Sequence, residues 1–338
     1  MARFLARRLG GSVLVLLGLS MVTFVLARVI PSNPAALYIG PRARPDDIVR
    51  VMHQLGLDQP LPFQYLNYLG AVLRGDWGTS IGTKRPVLEE ILGRLPASLE
   101  LIFVAMLIAV PIGIGLGVFS ARWRGGAPDL LVRIFSIVGV SMPAFWLALL
   151  LQIVFFRQLD LLPLTGRVDA DLRFIAPITP LTGFFLFDSL VSGNLTAFVD
   201  AARHIVLPAV TLAAYPAGLI ARMTRSSMLE VLDQDYIRTA RAFGLRRRLI
   251  VYALGLRNAL PPVVTVIGLT LAYALTGTFF VEIVFNWPGL GTFAVRSLLN
   301  VDYPAVMGIT LLGAIGYVLI NLAVDIVQAW IDPRVRLA

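Results

Sequence analysis

The chain contains no cysteine and only two histidines, His53 and His204, among its 338 residues. Disulfides and cysteine-ligated zinc are therefore excluded, and two histidines are too few for a histidine-built metal cage. Lysine occurs once, as Lys84, and the phosphate-binding pattern Gly-x-x-x-x-Gly-Lys-Ser/Thr is absent. We therefore expect no metal site, no catalytic residue and no nucleotide-binding loop in this chain.

Charged residues are also scarce: they make up 14% of the chain, whereas soluble domains carry about 25%. Hydrophobic residues make up 57%, and the mean hydropathy is +0.80. So much apolar surface needs lipid around it, and the composition therefore predicts an integral membrane protein. The net charge of +9 comes almost wholly from arginine. In a membrane protein, basic loops beside the bilayer explain such a charge better than nucleic-acid binding does.

Six apolar stretches approach the roughly 20 residues that a helix needs to cross a bilayer. They are residues 9–30, 97–121, 134–156, 205–221, 259–281 and 303–324. The first could instead be a signal peptide, but its apolar core is longer than the roughly 7–15 residues typical of one. The fourth is short and contains Pro208 and Pro216, so we expect it inside the bundle, where neighbours satisfy the freed backbone groups. Residues 174–187 are interrupted by prolines and are expected to be re-entrant or to lie at the surface. The predicted fold is all-α with six transmembrane helices.

Basic residues are distributed unevenly between the two sides of this topology. The side that holds both termini carries 15 of them in 62 loop residues, and the other side carries 12 in 133. Loops rich in arginine and lysine remain in the cytoplasm, which predicts that both termini are cytoplasmic. Residues 31–95 then form an extended periplasmic region after the first helix.

The predicted cytoplasmic loop at residues 225–258 has a regular apolar pattern. Apolar residues recur every three or four positions, which predicts an amphipathic helix: Met228, Leu232, Tyr236, Ala240 and Phe243. Gly244 follows, where a helix is expected to end in a left-handed turn. A second series predicts a second helix: Leu245, Leu249, Tyr252, Ala253 and Leu256. The pattern indicates a helical hairpin that either docks a cytoplasmic partner or lies on anionic lipid headgroups.

Residues 238–244, Arg-Thr-Ala-Arg-Ala-Phe-Gly, resemble the Glu-Ala-Ala-x-x-x-Gly signature of ABC importer permeases. Arg238 stands in place of the Glu and Thr239 in place of the first Ala. The segments 235–242 and 256–261 look more closely like the dipeptide/oligopeptide/nickel branch of this binding-protein-dependent family. Further similar segments lie at 55–58, 64–66, 75–78, 94–101, 287–291, 302–304 and 332–334. Each match is short, but together they run along the whole chain in the family's order.

The resemblance implies a type I ABC importer permease fold and a non-catalytic subunit of a bacterial inner membrane. The implied organisation is 1–30 as tail and first helix, 31–95 as periplasmic region, 96–330 as transmembrane domain and 331–338 as tail. The resemblance also implies that the chain forms half of a translocation path, for peptides, nickel chelates, glutathione or opines. The implied partners are a second, related permease, two cytoplasmic ATPases and a periplasmic binding protein. ATP and Mg²⁺ are expected on the ATPases, and no cofactor on this chain. By the same resemblance, Ala240, Gly244 and Leu245 mark the contact with an ATPase. Arg241 and Arg246 are expected at this contact as well, because their charges can pair with carboxylates of the ATPase.

Polar residues in the spans are candidates for the translocation path, because a charge inside a bilayer usually faces a cavity or a partner. Ser141, Gln152 and Glu282 are the candidates that we name. Residues 141–143, Ser-Met-Pro, are expected either to kink the third span or to pack without a bend. A stand-alone secondary transporter would need ion-coupling carboxylates in the middle of the membrane, and a membrane-embedded hydrolase would need catalytic motifs such as His-Glu-x-x-His. The predicted spans contain neither.

Overall fold

The computed structural model describes residues 2–29, 44–54, 58–175 and 178–331, and most of them are helical. In lipid, a chain must satisfy its backbone hydrogen bonds within each segment, which a helix does. The chain divides into two compact units: residues 1–95 with 289–318, and residues 96–288 with 319–338. The predicted all-α class is confirmed.

Thirteen α-helices are named here from the described residues. In chain order they are α1 (Ala2–Val29), α2 (Pro45–Gln54), α3 (Leu61–Leu73), α4 (Val87–Arg122), α5 (Ala127–Ser141), α6 (Ala144–Leu151), α7 (Leu172–Ile175), α8 (Phe185–Val191), α9 (Leu195–Leu232), α10 (Asp235–Ala242), α11 (Arg257–Val284), α12 (Leu290–Leu299) and α13 (Tyr303–Ile331). Two π-helical segments adjoin them: π1 (Gln152–Gln158) continues α6, and π2 (Leu249–Leu256) leads into α11.

The six predicted spans fall on these helices. α4, α9, the joined π2–α11 helix and α13 are each long and apolar enough to cross a bilayer, and α5 with α6 would make a fifth span. α1 carries a shorter apolar stretch at Gly10–Leu26. The helices extend beyond the predicted limits, since α4 begins at Val87 rather than at residue 97, and α9 is much longer than residues 205–221.

The third predicted span, residues 134–156, is broken in the middle. α5 ends at Ser141, Met142 and Pro143 have extended backbone, and the two helical segments are bent by 108°. Proline has no amide hydrogen to donate, and it disfavours helical backbone at the residue before it. Of the two expectations for this sequence, the kink is therefore the one confirmed.

In the second unit, α9 is the most enclosed helix. In its most apolar 18-residue stretch 72% is buried, against 28–39% in the corresponding stretches of the other three long helices. Pro208 and Pro216 lie inside α9 without ending it, and the predicted interior position is confirmed. Gly117 of α4 lets the two helices approach closely, since a β-carbon there would lie 2.5 Å from Cβ of Thr224. Small residues pack membrane helices in this way where no hydrophobic driving force exists between them.

In the first unit, aromatic packing and one aspartate hold separate segments together. Phe24 of α1 packs edge-on against Tyr65 of α3, with 5.4 Å between ring centroids. The buried carboxylate of Asp302 accepts a hydrogen bond from the Ala305 amide, 3.3 Å away, and so caps α13. The same carboxylate accepts a hydrogen bond from Oγ of Ser80, 2.5 Å away. It therefore fixes the loop before α4 to the start of α13.

Two predicted features lie partly or wholly outside the described residues. Residues 174–187 form no span where they are described, because α7 ends at Ile175 and α8, which begins at Phe185, is only seven residues long. Residues 55–57 and the tail at 332–338, which carry two of the resembling segments, are outside the described part of the chain.

Candidate functional site

The hairpin, residues 235–256, consists of α10, a turn at 243–248 and π2. The predicted helix–turn–helix is present, but the first apolar series is divided between the end of α9 and α10, and the second arm is a π-helix. Its buried side chains belong to one apolar cluster with the ends of α9 and α4: Val118, Ala121, Met228, Leu232, Ile237, Ala240, Ile250, Val251 and Ala259. The hairpin is therefore packed onto two long helices of its unit and is not a loose connection.

The turn of the hairpin depends on Gly244, whose φ is +70°. The amide of Leu245 donates to the carbonyl of Ala240 at 3.1 Å, and the amide of Gly244 donates to that of Arg241 at 3.0 Å. This pair of bonds is a Schellman motif, which closes the C-terminus of α10. A residue with a β-carbon is strained in left-handed backbone, so the turn requires glycine. The left-handed turn predicted here is confirmed.

The two apolar series of the hairpin do not form one buried face. In the first series Met228, Leu232 and Ala240 are buried, but Tyr236 and Phe243 are exposed. Phe243 is 81% exposed, whereas Ile250 and Val251, which belong to neither series, are buried. The π-helix bonds residue i to i+5, so its buried positions do not follow a 3.6-residue period. The large apolar side chains on the outer face are Tyr236, Phe243, Leu245, Leu249 and Tyr252.

Four arginines next to these apolar residues in the sequence are also exposed: Arg241, Arg246, Arg247 and Arg248. A cavity of about 440 Å³ opens beside them and is lined by Ala121, Arg122, Leu232, Arg241, Leu245, Arg247, Ile250 and Val251. Of the five predicted contact residues, Ala240 lies beneath the face and the other four lie on it. An apolar centre with a basic rim suits a partner surface that is partly apolar and acidic.

A buried ion pair braces the base of the hairpin. Arg225 of α9 donates to both carboxylate oxygens of Asp129 of α5, through Nε at 2.7 Å and Nη2 at 2.8 Å. Oγ of Ser120, in α4, donates to the same carboxylate at 2.5 Å, and the Gly125 amide does so at 3.0 Å. The hydrogen bonds from Arg225 hold the pKa of Asp129 well below its usual range despite burial, and Asp129 in turn raises the pKa of Arg225. Three helices are thus joined next to the hairpin.

Family models match nearly the whole chain. The binding-protein-dependent transport system inner membrane component matches residues 113–337, and the N-terminal membrane component of the same transport system matches residues 1–102. The chain belongs to this family. It is accordingly a non-catalytic permease of ABC importers, an inner-membrane component, and the resemblance seen in the sequence is confirmed.

Relatives of the permease match over its full length. A probable D,D-dipeptide transport system permease of Escherichia coli is 48% identical over 98% of this chain and 96% of its own. A dipeptide transport system permease of the same species is 42% identical over 99% of each chain. A glutathione transport system permease of Salmonella typhimurium is 39% identical over 99% of each chain.

A solved structure shares the fold of the permease. The MetNI methionine ABC transporter, in an inward-facing conformation, contains a chain that matches with a TM-score of 0.50 and 20% identity. The match covers 70% of the permease and 93% of that chain. At this identity the likeness establishes the architecture, which agrees with the predicted permease fold.

The three path candidates of the permease lie in different surroundings. Ser141 is exposed at the break between α5 and α6. The side-chain amide of Gln152 donates to the carbonyls of Leu164 and Val284, at 3.0 and 3.3 Å. Glu282 is fully buried and accepts a hydrogen bond from Oγ of Ser98 at 2.6 Å. The structure therefore brings Gln152 and Glu282 to the same end of α11 and places Ser141 elsewhere.

Sequence reasoning missed a buried arginine that pairs with Glu100. Arg167 lies in the segment between the third and fourth predicted spans, and its guanidinium donates to the Glu100 carboxylate and to the carbonyl of Gly183. It also lies 3.7 Å over the ring of Phe185. Burial lowers the pKa of Arg167, and the Glu100 carboxylate opposes that shift. The signal in the sequence was Glu100 itself, a carboxylate at a span end that needed a cation.

A second buried carboxylate orders the same segment. Asp188 accepts hydrogen bonds from the amides of Leu181, Thr182 and Gly183, at 2.9–3.1 Å, and from the Thr182 hydroxyl at 2.7 Å. Burial alone would raise the pKa of Asp188, but these bonds lower it on balance. Trp287 is also buried, and its Nε1 donates to the Ala97 carbonyl at 2.8 Å. The hydrogen bonds of Asp188 and Trp287 therefore stabilise the interior of the second unit.

Sequence reasoning also missed residues 78–82, Gly-Thr-Ser-Ile-Gly, which match the hydrolase pattern Gly-x-Ser-x-Gly. A catalytic serine of that kind is exposed at a strand-to-helix turn and is activated by a histidine. Ser80 is fully buried and donates to the Asp302 carboxylate instead. The serine therefore has a structural role, in keeping with a non-catalytic family.

Proposed function

We propose that the permease forms half of the translocation path of a dipeptide importer. The support is that relatives named for dipeptide transport are 48% and 42% identical to it over almost their whole lengths. In this proposal a second, related permease supplies the other half of the path, and a periplasmic binding protein delivers the solute. Two cytoplasmic ATPases hold the ATP and Mg²⁺, and the permease holds no cofactor.

The proposed orientation places both termini and the hairpin in the cytoplasm, because basic residues are denser on that side. Residues 1–30 then form the tail and first helix, 31–95 the outer region, 96–330 the transmembrane domain and 331–338 the second tail. The outer side also carries α12.

The hairpin is proposed to receive work from an ATPase. The observation that carries this proposal is the large exposed side chain of Phe243 at a tightly closed turn, with exposed arginines on both sides of it in the sequence. An apolar patch with a polar rim on a water-facing segment marks an interaction surface. Arg241, Gly244, Leu245 and Arg246 are proposed to touch the ATPase, and Ala240 to hold the surface from below.

The break between α5 and α6 is proposed to shape the path, and Ser141 is exposed at this break. Gln152 and Glu282 keep their proposed place in the path wall. Since both are buried within this chain, we propose that they shape the wall from behind it. ATP-driven movement of the hairpin would reach these groups through α9 and α4, which pack against the hairpin directly.

Because the chain lacks cysteine, single-cysteine variants can be labelled without background. In the Phe243→Cys variant, a short thiol crosslinker on native membranes should join the permease to an ATPase subunit, identified by mass spectrometry. A membrane-impermeant maleimide should leave this variant unlabelled in intact spheroplasts and label it after lysis.

The matched control is Leu299→Cys at the end of α12, because Leu299 is 79% exposed and Phe243 is 81% exposed. We expect the control to be labelled in intact spheroplasts and to give no ATPase crosslink. Labelling of Phe243→Cys before lysis would contradict the orientation. A crosslink to lipid-bound probes alone, with no ATPase, would support the headgroup alternative for the hairpin.

The substrate class is tested separately, by uptake in a strain that lacks the permease and one that carries it again. Labelled D-alanyl-D-alanine, L-alanyl-L-alanine and glutathione are the three probes. Restored uptake of either dipeptide, with glutathione uptake unchanged, supports the proposal. Restored uptake of glutathione alone would contradict it and indicate a glutathione importer.

A further inference from the structure

Helix α3 packs against the apolar part of α1. The hydroxyl of Tyr65 lies 2.9 Å from Oγ of Ser20 and donates to the carbonyl of Leu17 at 3.2 Å. Tyr68 also contacts Phe24, with ring centroids 5.8 Å apart. All the α1 residues in these contacts lie within the apolar stretch Gly10–Leu26. α3 therefore lies beside the part of α1 that is surrounded by lipid.

The depth of this contact follows from helix geometry. Ser20 precedes Val29, the last residue of α1, by nine positions, which is about 13–14 Å along the helix axis. The apolar core of a bilayer is about 30 Å thick. If α1 spans it, the Tyr65 hydroxyl lies close to the middle of the membrane and the body of α3 lies within one leaflet.

The composition of α3 fits that depth. The helix has 13 residues, Leu-Pro-Phe-Gln-Tyr-Leu-Asn-Tyr-Leu-Gly-Ala-Val-Leu, and none is charged. About 20 Å of helix cannot cross the bilayer. Leu61, Phe63, Leu66 and Leu73 are 47–86% exposed, which in water would be an uncovered apolar patch. The nearest charged residues, Asp58 and Arg74, lie outside the helix at its two ends.

Apolar side chains are also exposed on α1 beside its contact with α3. Met21 and Val22, next to the contact with Tyr65, are 57% and 55% exposed on α1. Two side-chain amides of α3 bond to Gln59: the Gln64 side-chain amide donates to the Gln59 carbonyl at 2.7 Å, and the Asn67 side-chain amide donates to Oε1 of Gln59 at 3.1 Å.

We infer that α3 is a half-membrane helix whose outer face, Phe63, Leu66 and Leu73, contacts the acyl chains of the leaflet at the C-terminal end of α1. In the proposed orientation this is the outer leaflet. The segment that follows the first span was predicted to be wholly periplasmic. In this inference, part of it enters the bilayer and packs against α1 before the chain reaches the loop at 74–86.

Site-directed spin labelling tests this inference in the full-length permease, reconstituted in phosphatidylethanolamine–phosphatidylglycerol vesicles. Nitroxides are attached to Phe63→Cys and Leu66→Cys, and their collision rates with oxygen and with a water-soluble nickel chelate are compared. Leu14→Cys, at a position 71% exposed within the apolar stretch of α1, is the lipid reference. Thr83→Cys in the exposed loop is the water reference.

The α3 labels should match the lipid reference, with an oxygen-to-nickel accessibility ratio several-fold above that of Thr83→Cys. Nickel accessibility equal to that of Thr83→Cys would overturn the inference in favour of a periplasmic helix. Low accessibility to both reagents would overturn it in favour of cover by protein. The measurement needs no ATPase and no substrate, so its failure is distinct from failure of the Phe243 crosslink.

Discussion

Replacing Gly244 by valine tests the mechanical role of the hairpin most directly. Gly244 has a φ of +70°, and a β-carbon built there meets nothing within 4 Å. The cost of substitution is therefore backbone strain alone, about 1–2 kcal/mol for a residue with a β-carbon in left-handed backbone. That cost corresponds to a 5–30-fold smaller ratio of closed to open turns. Asparagine tolerates this backbone better than alanine, and a β-branched residue tolerates it least.

The expected order of dipeptide uptake is Gly, Asn, Ala, Val, from highest to lowest. The strain is small beside the stability of a membrane bundle, so immunoblots should show each variant in the membrane at normal abundance. ATP hydrolysis stimulated by the loaded binding protein should fall in the same order as uptake. Gly93→Val is the matched control, because that glycine also has open space around it but lies in regular helix. Full uptake by Gly244→Val at normal abundance would refute the reasoning.

Three further predictions concern the supports of the hairpin. Arg225→Met should lower the free energy of unfolding by about 1.5–3 kcal/mol, because it leaves the buried Asp129 carboxylate short of donors. Arg124→Met removes the exposed pair with Asp233 and should lower it by under about 1 kcal/mol. Thermal unfolding in detergent measures both variants, and equal losses would contradict the ion-pair account. Gly117→Val should force α4 and α9 apart and lower the free energy of unfolding by about 1–3 kcal/mol. Gly115→Val, where space is open, should not lower it. Crosslinking between the two helices checks whether they have separated. Because Asp129 has a lowered folded pKa, its stabilising effect is fully present above its ordinary pKa of about 3.9 and is lost only as the pH falls through the folded value. The difference in unfolding midpoint between the parent and Asp129→Asn should therefore be constant from pH 8 to pH 5, and a steep change in that interval would contradict it.

Local composition accounts for most of what the sequence determined. Apolar runs long enough for a bilayer predict helices, since backbone groups in lipid have no other partners. The turn at Gly244 could also be predicted locally, because glycine adopts left-handed backbone for lack of a β-carbon, whatever its neighbours are. Family membership followed from short ordered motifs. These features need only residues a few positions apart.

Tertiary packing decided the rest. Residues 141–143 allowed a bend or a straight helix, and only the structure shows the 108° break. The outward position of Phe243 depends on which face of the hairpin α9 covers. Arg167 pairs with a glutamate 67 residues away, and the depth of α3 depends on where Tyr65 meets α1. Each is set by a contact between distant segments, and the physical reason is that burial and pairing depend on the whole packed unit, which a local pattern does not contain.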